Sequence, residues 1–151
     1  MSFAKPSLKA RALQLLGGRE HSRAELERKL QRFEEEPGTL ARALDELQAK
    51  GFISEQRVIE SVLHRRAAKL GMARIRQELQ AKGLAPDAVA EAVAGLRMSE
   101  RERALAVWRK KFGQTPADAQ TAARQMRFLA ARGFGAEVIR RVILGGLGED
   151  E

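Results

Sequence analysis

Three stretches of the chain carry cations with no carboxylate among them. Arg65, Arg66, Lys69, Arg74 and Arg76, with His64 alongside, stand between Glu60 and Glu78. Arg103, Arg109, Lys110 and Lys111 stand between Glu102 and Asp118, and Arg124, Arg127 and Arg132 between Asp118 and Glu137. Guanidinium and ammonium groups in such blocks bind polyanions, either a phosphate backbone or an acidic protein groove. The overall balance agrees, with a formal net charge of +8 and a pI near 10.6. A small domain this basic has nucleic acid first among its expected partners. The candidate contact residues are Arg65, Lys69, Arg74 and Arg76 from the first stretch, and Arg109, Lys110, Lys111, Arg124, Arg127 and Arg132 from the other two.

A local ion pair competes with binding as the explanation of any single cation. Arg74 has Glu78 one turn away and Arg23 has Glu27, both at helical pairing distance. Arg109, Lys110 and Lys111 have no carboxylate within a turn. Arg66 falls inside the apolar arc of Ile59, Leu63 and Leu70 on a helical wheel, so its guanidinium is expected to extend out of the core or to find a buried partner. Trp108 precedes the Arg109 block and is placed to stack on a base or a partner side chain. A single helical tryptophan is more often a core residue, and that is the expectation here.

The sets of residues that catalysis needs are missing. There is no glycine loop followed by Lys-Ser or Lys-Thr, no paired-histidine helix motif and no nucleophile with a base beside it. His21 and His64 are the only histidines, and His21 sits just outside a helix cap, where a staple role is expected. Glu34-Glu35-Glu36 lacks companion ligands and reads as a solvated loop. Without cysteine there are no disulfides or thiolate metal sites. The expectation is a non-enzyme with no catalytic residue, no metal and no cofactor. No apolar run approaches the roughly 20 residues of a membrane span, and the first residues lack the apolar core of a secretion signal. A cytoplasmic protein is expected, with no membrane partner.

The elements that must position these cations are helices. The apolar residues are mainly Leu and Ala, prolines number four, and no segment alternates with the period of a strand. Ser22-Arg23-Ala24-Glu25 and Ser99-Glu100-Arg101-Glu102 read as capping boxes. Thr115-Pro116, Ala85-Pro86 and Ser54 mark further starts. Stops are expected at Gly17-Gly18, Gly51, Gly71, Gly83, Gly113, Gly133 and Gly145-Gly146. These marks give about nine helices, over residues 7–16, 22–33, 39–50, 55–70, 72–82, 86–96, 100–112, 116–132 and 136–144. The phrase Leu47-Gln48-Ala49-Lys50-Gly51-Phe52 returns as Leu79-Gln80-Ala81-Lys82-Gly83-Leu84, and more loosely as Leu129-Ala130-Ala131-Arg132-Gly133-Phe134. A basic residue, a glycine and an apolar residue close a helix, and Phe52, Phe112 and Phe134 are explained as such end contacts. Recurrence of one unit indicates an all-α tandem array of three three-helix repeats, elongated or curved. The repeats are residues 1–52, 53–97 and 98–151, the last ending in a short acidic tail.

The ordered motifs resemble a known family. Arg19-Glu20-His21-Ser22 with Glu25-Leu26 and Lys29-Leu30 comes first, then Gly51-Phe52-Ile53, then Arg74-Ile75-Arg76-Gln77-Glu78-Leu79 with Lys82-Gly83. Arg109-Lys110-Lys111-Phe112-Gly113 and Phe128-Leu129-Ala130-Ala131-Arg132-Gly133-Phe134 follow. This order, from about Leu13 to Ile143, resembles the bacterial RecX regulatory proteins. Two departures affect helix junctions. Only Gly71 remains of the family's glycine-rich turn with proline, and an acidic run replaces the glycine-containing stop between the second and third helices of the first repeat.

The resemblance implies a modulator, mostly an inhibitor, of the RecA recombinase that binds along the groove of the RecA–DNA filament. It also implies a part in DNA repair, homologous recombination and the SOS response. A monomer with weak, non-specific contacts to single- and double-stranded DNA is expected. The competing reading is a helix-turn-helix-like transcription regulator. It expects one recognition helix with base-reading side chains, whereas this chain has no Asn and spreads its cations over several helices. A general nucleic-acid chaperone is the third reading.

Overall fold

Serine side chains start three of the first four helices. Ser7 accepts a hydrogen bond from the Ala10 N–H (3.0 Å) and Ser54 from the Arg57 N–H (3.2 Å). Ser22 and Glu25 form the reciprocal capping box expected for them. The computed structural model describes residues 4–145, and these contain helices and no strand. In order they are Leu8–Gly18 (α1), Arg23–Leu30 (α2), Thr39–Ala49 (α3), Glu55–Arg66 (α4), Met72–Ala81 (α5), Pro86–Leu96 (α6), Glu100–Lys111 (α7), Ala119–Ala131 (α8) and Ala136–Leu144 (α9). Single 3₁₀ turns, Gln31–Phe33 and Arg97–Ser99, follow α2 and α6. The expected acidic tail and the stop at Gly146 lie outside the described residues.

Several local expectations change. Helix α1 runs through Gly17 and Gly18, neither of which has positive φ. Ser99 forms no capping box, because its hydroxyl donates to the Leu96 carbonyl and accepts from Arg103 Nε. Helix α8 starts at Ala119 on Asp118, whose carboxylate accepts from the Thr121 N–H (2.7 Å), and not on Thr115. Aspartate is a stronger N-cap than threonine, and the Asp118 carboxylate holds the Thr121 N–H that the first turn leaves free. Glu34 is not simply solvated, since its Oε2 accepts from the Leu40 N–H at 2.9 Å.

The repeated glycine phrase closes helices as expected at Gly51 (φ 84) and Gly133 (φ 92). At each, the glycine N–H reaches the third carbonyl back and the following Phe N–H the fifth, at 2.9 Å for Phe52 to Leu47 and 3.2 Å for Phe134 to Leu129. The Phe134 side chain is buried, while Phe52 stays exposed.

The chain packs as two compact bodies. The first runs through Ser61 and takes in Ala81–Ala85. Its core is Ala12, Leu26, Leu30, Leu40, Leu44, Leu47 and Ile53. Beside that core, Glu25 is a buried carboxylate. It accepts from the Ser22 N–H (2.9 Å) and Arg19 Nη2 (2.7 Å), with Lys82 Nζ at 3.5 Å. Burial alone would raise its pKa, but the Arg19 and Ser22 hydrogen bonds and the Lys82 charge lower it from 4.5 to about 2. His21, just outside the cap, is also buried; it bonds to the Arg19 carbonyl through Nδ1 and accepts from Lys29 through Nε2. Burial lowers its pKa.

A group with a depressed folded pKa stabilises above its unfolded value and loses that contribution as pH falls. Glu25 should therefore remove about 3 kcal/mol between pH 4.5 and about 2. His21 adds its own penalty as pH falls below its ordinary value of 6.5. Urea unfolding of Glu25→Gln should lose the Glu25 part of this acid dependence, and a variant that keeps the wild-type acid profile would refute the assignment.

Among the described residues, the second body comprises Val62–Gln80 and residues 86–145. Helices α7, α8 and α9 enclose Ala104, Trp108, Leu129, Phe134, Ile139, Val142 and Ile143. Trp108 is a core residue, and its indole N–H donates to Gln125 Oε1 at 2.8 Å. The start of α5 meets the end of α8 head to tail. The Gly71 N–H donates to the Arg132 carbonyl (2.8 Å), the Ala73 N–H to the Gly133 carbonyl (3.2 Å) and the Met72 N–H to the buried Glu100 carboxylate (2.9 Å). The free donors of one helix thus satisfy the free acceptors of the other. Gly71 does not end a helix in a left-handed turn as expected. Its missing side chain lets the Gly133–Phe134 backbone lie where a Cβ would stand.

Candidate polyanion-binding groove

The second body contains all ten candidate cations, and its folding sorts them. Lys69 lies in the turn after α4, Lys110 and Lys111 in the last turn of α7, and Arg132 at the C-terminal cap of α8. These four line one groove of about 570 Å³ together with Ala68, Ala106, Val107 and Phe128. No carboxylate lines it, and none of the four makes an ion pair among the described residues.

The groove's floor is organised by Phe128. Its ring meets Phe112 edge-on, with centroids 5.3 Å apart at 84°. The Arg132 guanidinium lies 4.6 Å above the ring centroid and Lys111 Nζ 5.5 Å from it. Each contact orients a cation on the ring face without neutralising it. Arg132 Nε is buried and has no acceptor. The arrangement offers four cationic donors over an apolar, aromatic floor, and it suits an anionic chain that also carries flat or aliphatic groups.

The other six candidates do not join this groove. Arg109 lines a separate recess of about 120 Å³ with Arg101 and Arg141. Arg127 lines another, of about 420 Å³, with Arg140. Arg74 is engaged structurally, its Nη1 donating to the Ala131 carbonyl at 2.7 Å. It does not pair with Glu78, which is held instead by Arg66 at 3.3 Å, the partner that Arg66 needed. Arg65, Arg76 and Arg124 are exposed.

Arg103, which sequence placed in a basic block but not among the contacts, proves structural. Its guanidinium donates to the carbonyls of Ala67 (2.8 Å), Leu70 (2.6 Å) and Leu96 (3.2 Å), so it closes the chain beyond α4 and the end of α6. Burial lowers its pKa and the Glu100 charge partly offsets this. Among the described residues no cluster of His, Asp or Glu could hold a metal ion. No helix there is long and apolar enough to cross a membrane.

Models of the first, second and third three-helix domains of RecX match residues 9–47, 54–93 and 99–143 in that order. A regulatory protein RecX from Leptothrix cholodnii is 55% identical over 137 residues, covering 91% of this chain and 87% of that protein. The chain belongs to the RecX family. A RecX from Ralstonia nicotianae is 49% identical over 92% of this chain and 87% of its own length. One from Pseudomonas syringae pv. tomato is 40% identical over 95% and 94%. A crystal structure of RecX from Lactobacillus salivarius superposes with a TM-score of 0.73 at 19% identity, covering 91% of this chain and 93% of that one. The RecX fold of three three-helix repeats is therefore the fold of this chain.

Proposed function

We propose that this protein is a non-enzymatic regulator of the RecA recombinase, which binds the RecA–DNA filament and mostly inhibits strand exchange and its coupled ATP hydrolysis. The observation that carries this reading is the convergence of Lys69, Lys110, Lys111 and Arg132 on one carboxylate-free groove in a chain of the RecX family. A filament presents a repeating polyanion, so several modest contacts add through avidity. Arg65, Arg74, Arg76, Arg109, Arg124 and Arg127 supply weaker peripheral contacts in this reading. The protein acts as a cytoplasmic monomer, in repeats bounded near residues 52/53 and 97/98, and touches single- and double-stranded DNA weakly and without sequence preference. It serves DNA repair by homologous recombination and the SOS response.

Co-sedimentation with RecA filaments preformed on single-stranded DNA tests this directly. The protein should pellet with filaments at about 50 mM salt. If four cations meet phosphates, affinity should fall about 50-fold by about 200 mM. Failure to pellet at the lower salt would sink the proposal.

A further inference from the structure

A second cationic surface stands in the first body, where the sequence shows nearly balanced charge. The Arg11 guanidinium lies 3.7 Å from the Phe33 ring centroid and the Arg32 guanidinium 4.6 Å from it. Neither side chain makes an ion pair or hydrogen bond among the described residues. A groove of about 570 Å³ beside the ring is lined by Arg11, Arg28, Lys29 and Arg32, with Leu15 and Phe33, and no carboxylate lines it. Arg28 spends one N–H on the Ala81 carbonyl and Lys29 donates to His21, which orients both without neutralising them. An adjoining recess of about 650 Å³ shares Arg11, Arg32 and Phe33 and adds Lys5 with Glu35 and Glu36, whose two carboxylates make it the poorer anion site.

Four like charges around one cavity repel each other unless a counter-ion enters. Two guanidiniums stacked on an aromatic ring also extend its flat face, and flat cationic faces receive nucleobases as well as phosphates. An acidic peptide would supply charge but no planar group for that face.

We infer that this groove binds single-stranded nucleic acid, with an unpaired base on the Arg11–Phe33–Arg32 stack and its flanking phosphates against Arg28, Lys29 and the outer N–H groups of Arg11 and Arg32. The site is separate from the groove at Lys110 and Lys111, and its test needs no recombinase.

Fluorescence anisotropy of the full chain with a roughly 15-nucleotide labelled oligothymidylate reads this out. The Lys110→Gln/Lys111→Gln background removes most binding at the other groove. In that background, Arg11→Gln/Arg32→Gln should weaken binding at least about tenfold and reduce the salt slope by about 1.4. Arg11→Lys/Arg32→Lys should keep the slope but lose several-fold in affinity, a deficit absent on an abasic oligomer. Both side chains lie outside the fully buried core, so thermal unfolding should not change. Wild-type affinity and slope in the double Gln variant would overturn the inference. So would equal binding of abasic and thymidylate strands, or displacement by polyglutamate as effective as displacement by the abasic strand.

Discussion

Lys110→Glu/Lys111→Glu is expected to abolish inhibition of RecA ATP hydrolysis at concentrations where the wild type is fully effective. Both lysines are exposed, unpaired and on the same groove wall. Reversal removes two attractions of about 1 kcal/mol each and adds repulsion of similar size, together about 3 kcal/mol or roughly 100-fold. Two glutamates in the last turn of α7 also oppose the helix dipole, which costs a few degrees of melting temperature and no more. The Lys110→Gln/Lys111→Gln pair separates these effects, because it loses the attraction without the dipole penalty and should retain about one-thirtieth of the wild-type affinity. Arg109→Glu should do less than either, since Arg109 lines a different recess beside Arg101 and Arg141. Undiminished inhibition by a folded double reversal at moderate salt would remove the groove from the mechanism.

Gly71→Ala should be the most damaging single methyl in the second body. The added Cβ would occupy the positions of Gly133 C and O and Phe134 N, which are backbone atoms that cannot turn aside. Relief requires α5 to withdraw from the end of α8, breaking the Gly71–Arg132 and Ala73–Gly133 hydrogen bonds. Overpacking and two lost buried bonds together cost about 3 kcal/mol or more. For a chain of this length that lowers the melting temperature by about 10 °C. Thermal denaturation followed by circular dichroism would decide, and a melting temperature within 2 °C or so of wild type would mean that the helix junction is not as tight as described.

The two cases differ in how far they could be read along the chain. Lys110 and Lys111 were visible as a block without local carboxylates, and nothing in their neighbourhood contradicts that reading. Gly71 reads along the chain only as a glycine, and so as a helix stop, because its partner, the Gly133–Phe134 backbone, lies about sixty residues away. The carbonyl acceptors of Arg103 and Arg74, at Ala67, Leu70 and Ala131, are equally remote, so the chain offers only a local carboxylate, Glu78, as a partner for Arg74. No local pattern marks Arg11 and Arg32, because separate segments supply them and only folding puts both on Phe33.

By itself the sequence determined the helices, their repetition and the order of motifs that places the chain in its family. Caps, glycine stops and apolar stripes act over one turn or two, so a linear reading captures them. The tertiary structure decided which cations remain unneutralised and which of them face each other. That depends on charges and carbonyls brought within a few ångströms from distant segments, and Coulomb energy and hydrogen bonding follow distance in space, not separation along the chain.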